Sequence, residues 1–333
     1  MRTLAALLLT AVLAAGCSEP ADAPADPPPD AAATPVPPRP TLDDLPAGVP
    51  PRVAYVDHGA YVDRSGHRSP LPGRNGISGA VPYDGGFLVS DARWFEMSNG
   101  LAFVRDGRPV PGWFPDRLCS SGTPADDGGF VAWAAVSCPE SGYTVPGHLH
   151  RSATDGSGEV TQPVAGLASV VGLLGSRVVY HQHHPGGAWV TDFVDPPVRV
   201  RGIDGAADVD AAHQRVIGWR GDRARVVALD GTLLWRYPRG SLESFSPRGT
   251  RVLARRTGRL VVLDADDGSV AASLRLPFRQ VLQLGWEDER HVLAVVTRAG
   301  RTAVLRLGID GSVERATRPA PYRPTGPPYV LLD

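Results

Sequence analysis

From Arg52 to the C-terminus, the hydrophobic positions fall in short runs where β-branched and aromatic residues alternate with polar ones. Gly, Asp or Pro clusters interrupt these runs roughly every 6 to 10 residues. No stretch carries the 3.6-residue apolar period of a three-turn amphipathic helix, so the pattern predicts an all-β chain. The clearest unit is Leu242 to Pro277, LESFSPRGTRVLARRTGRLVVLDADDGSVAASLRLP, which divides into four strand-sized pieces. Its turns are predicted at Pro247-Arg248-Gly249, at Thr257-Gly258 and at Asp266-Asp267-Gly268. Segments beginning at Val209 and at Leu284 repeat the plan, and Asp-Gly-Gly-Phe occurs at both Asp84–Phe87 and Asp127–Phe130.

A repeat of about 36 to 43 residues built from four strands lies in the range of propeller blades. The unit resembles a blade of the WD40-like and TolB-like propellers, with Arg248 where a Ser-Pro-Asp-Gly turn would have Asp. The resemblance implies a β-propeller, and the units count to seven blades of four antiparallel strands. They are predicted near residues 52–74, 75–115, 116–165, 166–204, 205–241, 242–279 and 280–320. A ring covers both faces of every sheet and leaves only short edges, so its closure is a stability problem. The first unit lacks an inner strand, since Pro50-Pro51 directly precede its second strand, and Tyr329–Leu332 is an orphan of the right length. The C-terminus is therefore predicted to insert into the first blade and latch the ring.

Ahead of this region, Arg2 and the apolar run Leu4 to Ala15 have the layout of a signal peptide, too short for the roughly 20 residues of a spanning helix. Leu13-Ala14-Ala15-Gly16-Cys17 resembles a bacterial lipobox, with Ala14 where leucine is commonest. This resemblance implies cleavage after residue 16, lipidation of Cys17, and an extracytoplasmic protein anchored to the membrane. Residues 17–51 read as a lipid anchor and disordered linker, because twelve of the residues from Ser18 to Pro51 are proline and none is aromatic. The remainder, 52–333, reads as the propeller.

Charge adds exclusions. Six acids lie in the linker against Arg39 alone, which leaves the propeller only mildly positive and gives no case for nucleic acid. All 34 cationic side chains are arginine, so chemistry that needs a lysine is excluded. There is no Gly-x-Ser-x-Gly elbow and no His-Glu-x-x-His helix. The candidates for a site assembled around the channel are Asp210, His213, Glu243 and Asp288, each also readable as a turn or solvated residue.

Export makes a disulfide between Cys119 and Cys138 the default reading. On a strand, His181 and His183 share a face, and with His184 they are the candidate ligands of a divalent metal. No cofactor is otherwise implied. The segment Asp91 to Gly100 reads as a long loop between the second and third strands of blade 2. It carries Trp94, Phe95 and Met97, residue types that concentrate binding energy. The expected function is a monomeric, protein-binding or scaffolding module of the cell envelope. A propeller enzyme acting on an extracellular small molecule or glycan and a metal-responsive sensor are the alternatives.

Overall fold

The computed structural model describes residues 41–71, 76–92, 99–111, 118–120, 124–137, 147–183, 186–238, 240–278, 280–323 and 326–332. Pro40–Asp333 form a compact unit of their own. Among the described residues every regular element is a strand, and the strands form seven antiparallel blades.

Four blades have a plain inner-to-outer order. They are blade 4 (Ala168–Leu174, Arg177–Gln182, Gly187–Thr191, Val198–Arg199), blade 5 (Gly205–Asp210, Arg215–Arg220, Arg223–Ala228, Leu233–Tyr237), blade 6 (Ser241–Phe245, Arg251–Arg256, Arg259–Asp264, Val270–Arg275) and blade 7 (Gln280–Asp288, His291–Arg298, Arg301–Gly308, Val313–Arg315). Blade 2 is built on Ile77–Tyr83, Gly86–Ala92 and Asn99–Arg105, with Arg108–Pro109 outside. Blade 3 is built on Phe130–Ser137, Gly147–Ala153 and Val160–Val164, with Ala125–Asp126 inside. The short strand Leu118–Ser120 pairs with both blades, at Asn99–Gly100 and at Val136–Ser137, and so joins them into one sheet.

Blade 1 (Tyr55–Asp57, Ala60–Val62, Arg68–Pro70) takes its inner strand from the C-terminus. Tyr329–Leu331 pairs antiparallel with Tyr55–Asp57, which is the predicted latch. Blade 7 holds the latch from the other side: the Gln283 amide donates to the Leu331 carbonyl at 2.7 Å and accepts from its N–H at 2.8 Å.

A strand with sheet on either side is buried on both faces, so its apolar residues need not alternate with polar ones. Val292 to Val296 shows the result. Leu293 and Val295 enter the core against blade 1, while Val292, Ala294 and Val296 enter the core against blade 6. Seven separate apolar cores fill the seven seams between neighbouring blades. The inner strands of blades 2, 4, 5, 6 and 7 each skip a residue of register, at Ser78, Val171, Ala207, Glu243 and Leu282, and that of blade 7 skips a second at Glu287. A bulge of this kind adds local twist and bend to a strand near the ring axis.

Two boundaries differ from the sequence reading. The folded unit starts about ten residues before Arg52: Leu42 is buried in the core between blades 6 and 7, and Leu45 packs against it. Gly48 donates to the Arg315 carbonyl, and Arg315 donates to the Pro46 carbonyl, so this strap adds a bridge to the outer edge of blade 7. Proline disfavours a helix or a central strand but not an extended strap at a sheet edge. The blade 2 loop is also shorter than Asp91 to Gly100. Asp91 pairs with Gly100 and Ala92 with Asn99, leaving 93–98 as the connection.

Candidate interaction face

Strand alternation sorts the turns onto two rims. The lower rim carries the inner-to-second and third-to-outer turns, and the upper rim carries the second-to-third turns and the links between blades. They differ in how their charges are paired.

On the lower rim, an aspartate folds each of several third-to-outer turns by accepting from the backbone ahead of it. Asp63 takes the N–H groups of Ser65 and His67, Asp155 that of Ser157, Asp230 that of Thr232, Asp267 that of Ser269, and Asp310 that of Ser312. These hydrogen bonds favour the ionised form and hold the five carboxyls below the ordinary aspartate value. Contacts from neighbouring blades then grip the inner-to-second turns. Arg177 of blade 4 donates to Gln214 of blade 5 at 2.6 Å, and Glu289 of blade 7 accepts from Arg248 of blade 6 at 2.7 Å.

Two buried arginines complete the lower rim. Arg215 forks onto Asp210 at 2.7 and 3.0 Å and spends its other donors on Asp266 and on the Ala265 and Gly249 carbonyls of blade 6. Arg306 forks onto Glu287 at 2.5 and 2.7 Å and also holds Glu314 and the strap carbonyls of Val49 and Pro50. Burial would raise the Glu287 pKa, but Arg306 and the Arg52 amide outweigh it, and the carboxyl lies below its ordinary value.

On the upper rim, three successive blades carry arginine on both sides of the same turn. Arg220 stands opposite Arg223, Arg256 opposite Arg259, and Arg298 opposite Arg301. Behind these tips Arg225 faces Arg236, and Arg259 also faces Arg275. Arg225 is buried and donates to the Gly202 carbonyl at 3.0 Å. Desolvation, then Arg236 and Arg220, hold its pKa below the ordinary arginine value. Among the described residues, Arg220, Arg223, Arg236, Arg256, Arg259 and Arg275 make no ion pair, whereas Arg301 meets Asp43 and Arg255 meets Glu243.

At the seam of blades 4 and 5 this rim also exposes an indole. The Trp219 side chain covers Gly205, where a Cβ would collide with the ring, and it meets the His181 ring at 5.3 Å. Trp219 remains 37% exposed.

The structure brings His181 and His183 together, with rings edge-to-face at 4.5 Å. His181 Nδ1 is 3.1 Å from the Gly187 carbonyl, and His183 Nε2 is 2.9 Å from Ser169 Oγ. Burial, then repulsion from His183, hold His181 below the ordinary histidine value. Among the described residues these two are joined by no third ligand, and His184 lies outside them. The one group of three potential ligands among the described residues, Glu287, Asp288 and His291, is already engaged by Arg306 and Arg52.

The expected channel constellation is not assembled. Asp210 binds His213 at 2.8 Å together with Arg215 on the lower rim, and Asp288 binds His291 at 2.9 Å in another lower-rim turn. Glu243 is the bulge residue of blade 6 and pairs with Arg255. Asp210 and Asp288 close inner strands, where a carboxylate caps a turn more readily than it reaches the axis. Cys17, Cys138, Trp94, Phe95 and Met97 lie outside the described residues, and the backbone of Cys119 pairs with Val136 and Gly100.

Two sequence signals mark the rims beyond the predicted Asp266-Asp267-Gly268 turn. Asp-Gly-Ser or Asp-Gly-Thr marks the third-to-outer turn at Asp155, Asp230, Asp267 and Asp310, and Arg-x-x-Arg marks the upper-rim turns of blades 5, 6 and 7.

No family model matches the chain, and no curated protein does. Among solved structures it is similar to a chain of the mitotic checkpoint complex, at 10% identity over 85% of this chain and 88% of that one, with a TM-score of 0.49. It is also similar to Hsv2 of Kluyveromyces lactis, at 12% identity over 71% and 74% with a TM-score of 0.42. A further similar structure is Hsv2 of Kluyveromyces marxianus, at 12% over 78% and 93% with a TM-score of 0.46. The seven-bladed architecture is established by the strand pairing and the seven apolar seams themselves.

Proposed function

We propose that this chain is an extracytoplasmic, membrane-tethered interaction module whose propeller binds a protein partner in the cell envelope through its upper rim. The observation that carries the reading is Trp219, partly exposed and braced by His181 and Gly205, directly beside Arg220 and Arg223. Tryptophan and arginine dominate binding hot spots because they bury large area and form directional polar contacts. The bracing fixes the indole before binding, which lowers the cost of ordering it. The segment 93–98, with Trp94, Phe95 and Met97, joins a second to a third strand and so belongs in chain order to the same set of connections. Tethering rests on the lipobox-like Leu13 to Cys17 and on the proline-rich segment after it.

The test is crosslinking in intact cells followed by purification of the propeller. The Trp219→Ser variant should lose the captured partner while its melting temperature stays near that of the parent. Unchanged capture in that variant would remove this surface from the reading. Incorporation of labelled palmitate, abolished by Cys17→Ser, checks the tether independently.

A further inference from the structure

A cleft of about 730 Å³ opens where the ring closes, at the seam of blades 7 and 1. Its walls are the strap, the second strand of blade 1, the outer edge of blade 7 and the latch. These parts come from the two ends of the chain and meet only in the latched ring. A volume of this size suits a small organic molecule rather than a bare ion.

Two tyrosines line the cleft, and the fold uses the oxygen of one. The Tyr329 hydroxyl donates to the Arg318 carbonyl at 2.6 Å. Tyr55 is only 6% exposed, and its backbone is paired with Val62 on one side and Leu331 on the other, so its side chain is what enters the wall. The Tyr55 hydroxyl has no hydrogen-bond partner among the described residues. A buried tyrosine usually finds one. Phenylalanine would fill the same place in the apolar core between blades 7 and 1, so packing does not account for the oxygen. Burial, then Asp57, push the hydroxyl above its ordinary pKa, which keeps it a proton-bearing donor.

The acids of the wall are already taken. Asp57 is held by Arg68 and by His58 Nδ1, and Asp43 is held by Arg301, with Arg315 at 3.7 Å. Arg318 lines the cleft, is exposed, and makes no ion pair among the described residues. The capacity left over is therefore a donor's, one phenol hydroxyl and one guanidinium. A guanidinium fork matches the two oxygens of a carboxylate, and one free cation balances a single negative charge. Ala316 and Pro319 supply apolar surface for a carbon skeleton.

We infer that this cleft binds a small organic carboxylate, its carboxyl group held by the Tyr55 hydroxyl and the Arg318 guanidinium. The site lies across the ring from Trp219, which is at the seam of blades 4 and 5, and it stands independently of the partner surface proposed above. Because both ends of the chain build it, the ligand binds the latched ring and stabilises that state by mass action.

The test uses the chain from Ser18 onward, which keeps the strap and the whole latched ring. The probe is benzoate, followed by saturation-transfer NMR and by thermal melting. Benzoate should bind in the millimolar range expected of so small a ligand and should raise the melting temperature. Tyr55→Phe and, separately, Arg318→Gln should each weaken benzoate about tenfold, the loss of one hydrogen bond to a charged group, and neutral benzamide should bind the parent weaker by about the same factor. Without ligand both variants should melt close to the parent, since neither side chain has a polar partner among the described residues. No binding of benzoate, equal binding of benzoate and benzamide, or equal binding of benzoate by parent and Tyr55→Phe overturns the inference. A melting temperature clearly lowered by Tyr55→Phe also overturns it, because the hydroxyl would then serve the seam. Tighter binding of phenyl phosphate than of benzoate overturns the carboxylate assignment and gives the cleft to an organic phosphate.

Discussion

The two rims of this ring are made by the same hairpins and treat charge in opposite ways. On the lower rim Arg215 and Arg306 are buried and have a partner for each nitrogen, with Asp210 and Glu287 buried beside them and Asp266 and Glu314 reaching in from the surface. On the upper rim, arginine faces arginine across three turns in succession. Charge on the first rim joins blade to blade. On the second, Arg220, Arg223, Arg256 and Arg259 make no ion pair among the described residues, while Arg301 is held by Asp43. A closed ring allows this division because the apolar seams already hold the blades, so one rim can carry unfavourable pairs that the other offsets.

The largest expected effect comes from opening the latch. Removing residues 327–333 takes the inner strand from blade 1 and leaves the Tyr55–Asp57 edge and the Gln283 amide without partners. The chain should lose its cooperative thermal transition by circular dichroism; an unchanged transition would show that the ring closes elsewhere.

Next are the buried arginines of the lower rim. Arg306→Leu leaves Glu287 buried beside an apolar side chain, and Arg215→Leu does the same to Asp210, so each should cost about 3–5 kcal/mol in denaturant unfolding. Arg220→Leu on the upper rim should cost far less, and similar losses at all three sites would erase the contrast between the rims.

Acid should weaken the ring in two stages. His150 and His181 have folded pKa values lowered by burial, so their contribution is complete above about pH 6.5 and is lost as the pH falls from there through the lower folded values. Glu287 and the turn aspartates also lie below their ordinary values. Their contribution is therefore complete above about pH 4.3 and disappears only as the pH drops through the lower folded values. The melting temperature should thus decline gently near pH 6 and steeply below 4. A steep decline already at pH 6 would place the main acid sensitivity on the histidines instead.

The smallest effect has the opposite sign. Arg256→Thr relieves two-sided crowding around Arg259 and puts a β-branched residue in the strand, so it should raise stability by about 0.2–1 kcal/mol. A loss would mean that Arg256 has a structural partner.

Much of the fold was legible because a blade strand records its own burial. Leu260–Leu263 reads as a continuous apolar run since neighbouring blades cover both faces, and the turns after Phe245 and before Arg259 fall at the predicted Pro-Arg-Gly and Thr-Gly. The latch was legible for a related reason: Tyr329–Leu332 is strand-like and has no local partner. The strap was hidden because Leu42 and Leu45 lie among prolines, and a pattern read over neighbouring residues gives no sign of a core contributed by blades 6 and 7. The candidate site was less legible still. His181 and His183 were found as a pair, but Trp219, which completes that corner, belongs to another blade.

The sequence alone determined the repeat, the strand and turn order and the number of blades, because these depend on residues within one blade length of each other. It also contained the arginines and aspartates of every turn. Which of those charges are neutralised was decided only by the tertiary structure. Arg306 meets the Val49 and Pro50 carbonyls across almost the whole chain, and Arg215 meets Ala265 across the next blade, while Arg256 and Arg259 face each other, Arg259 also faces Arg275, and neither makes an ion pair among the described residues. Charge energies depend on separation in space and on burial, and closing the ring sets both at once.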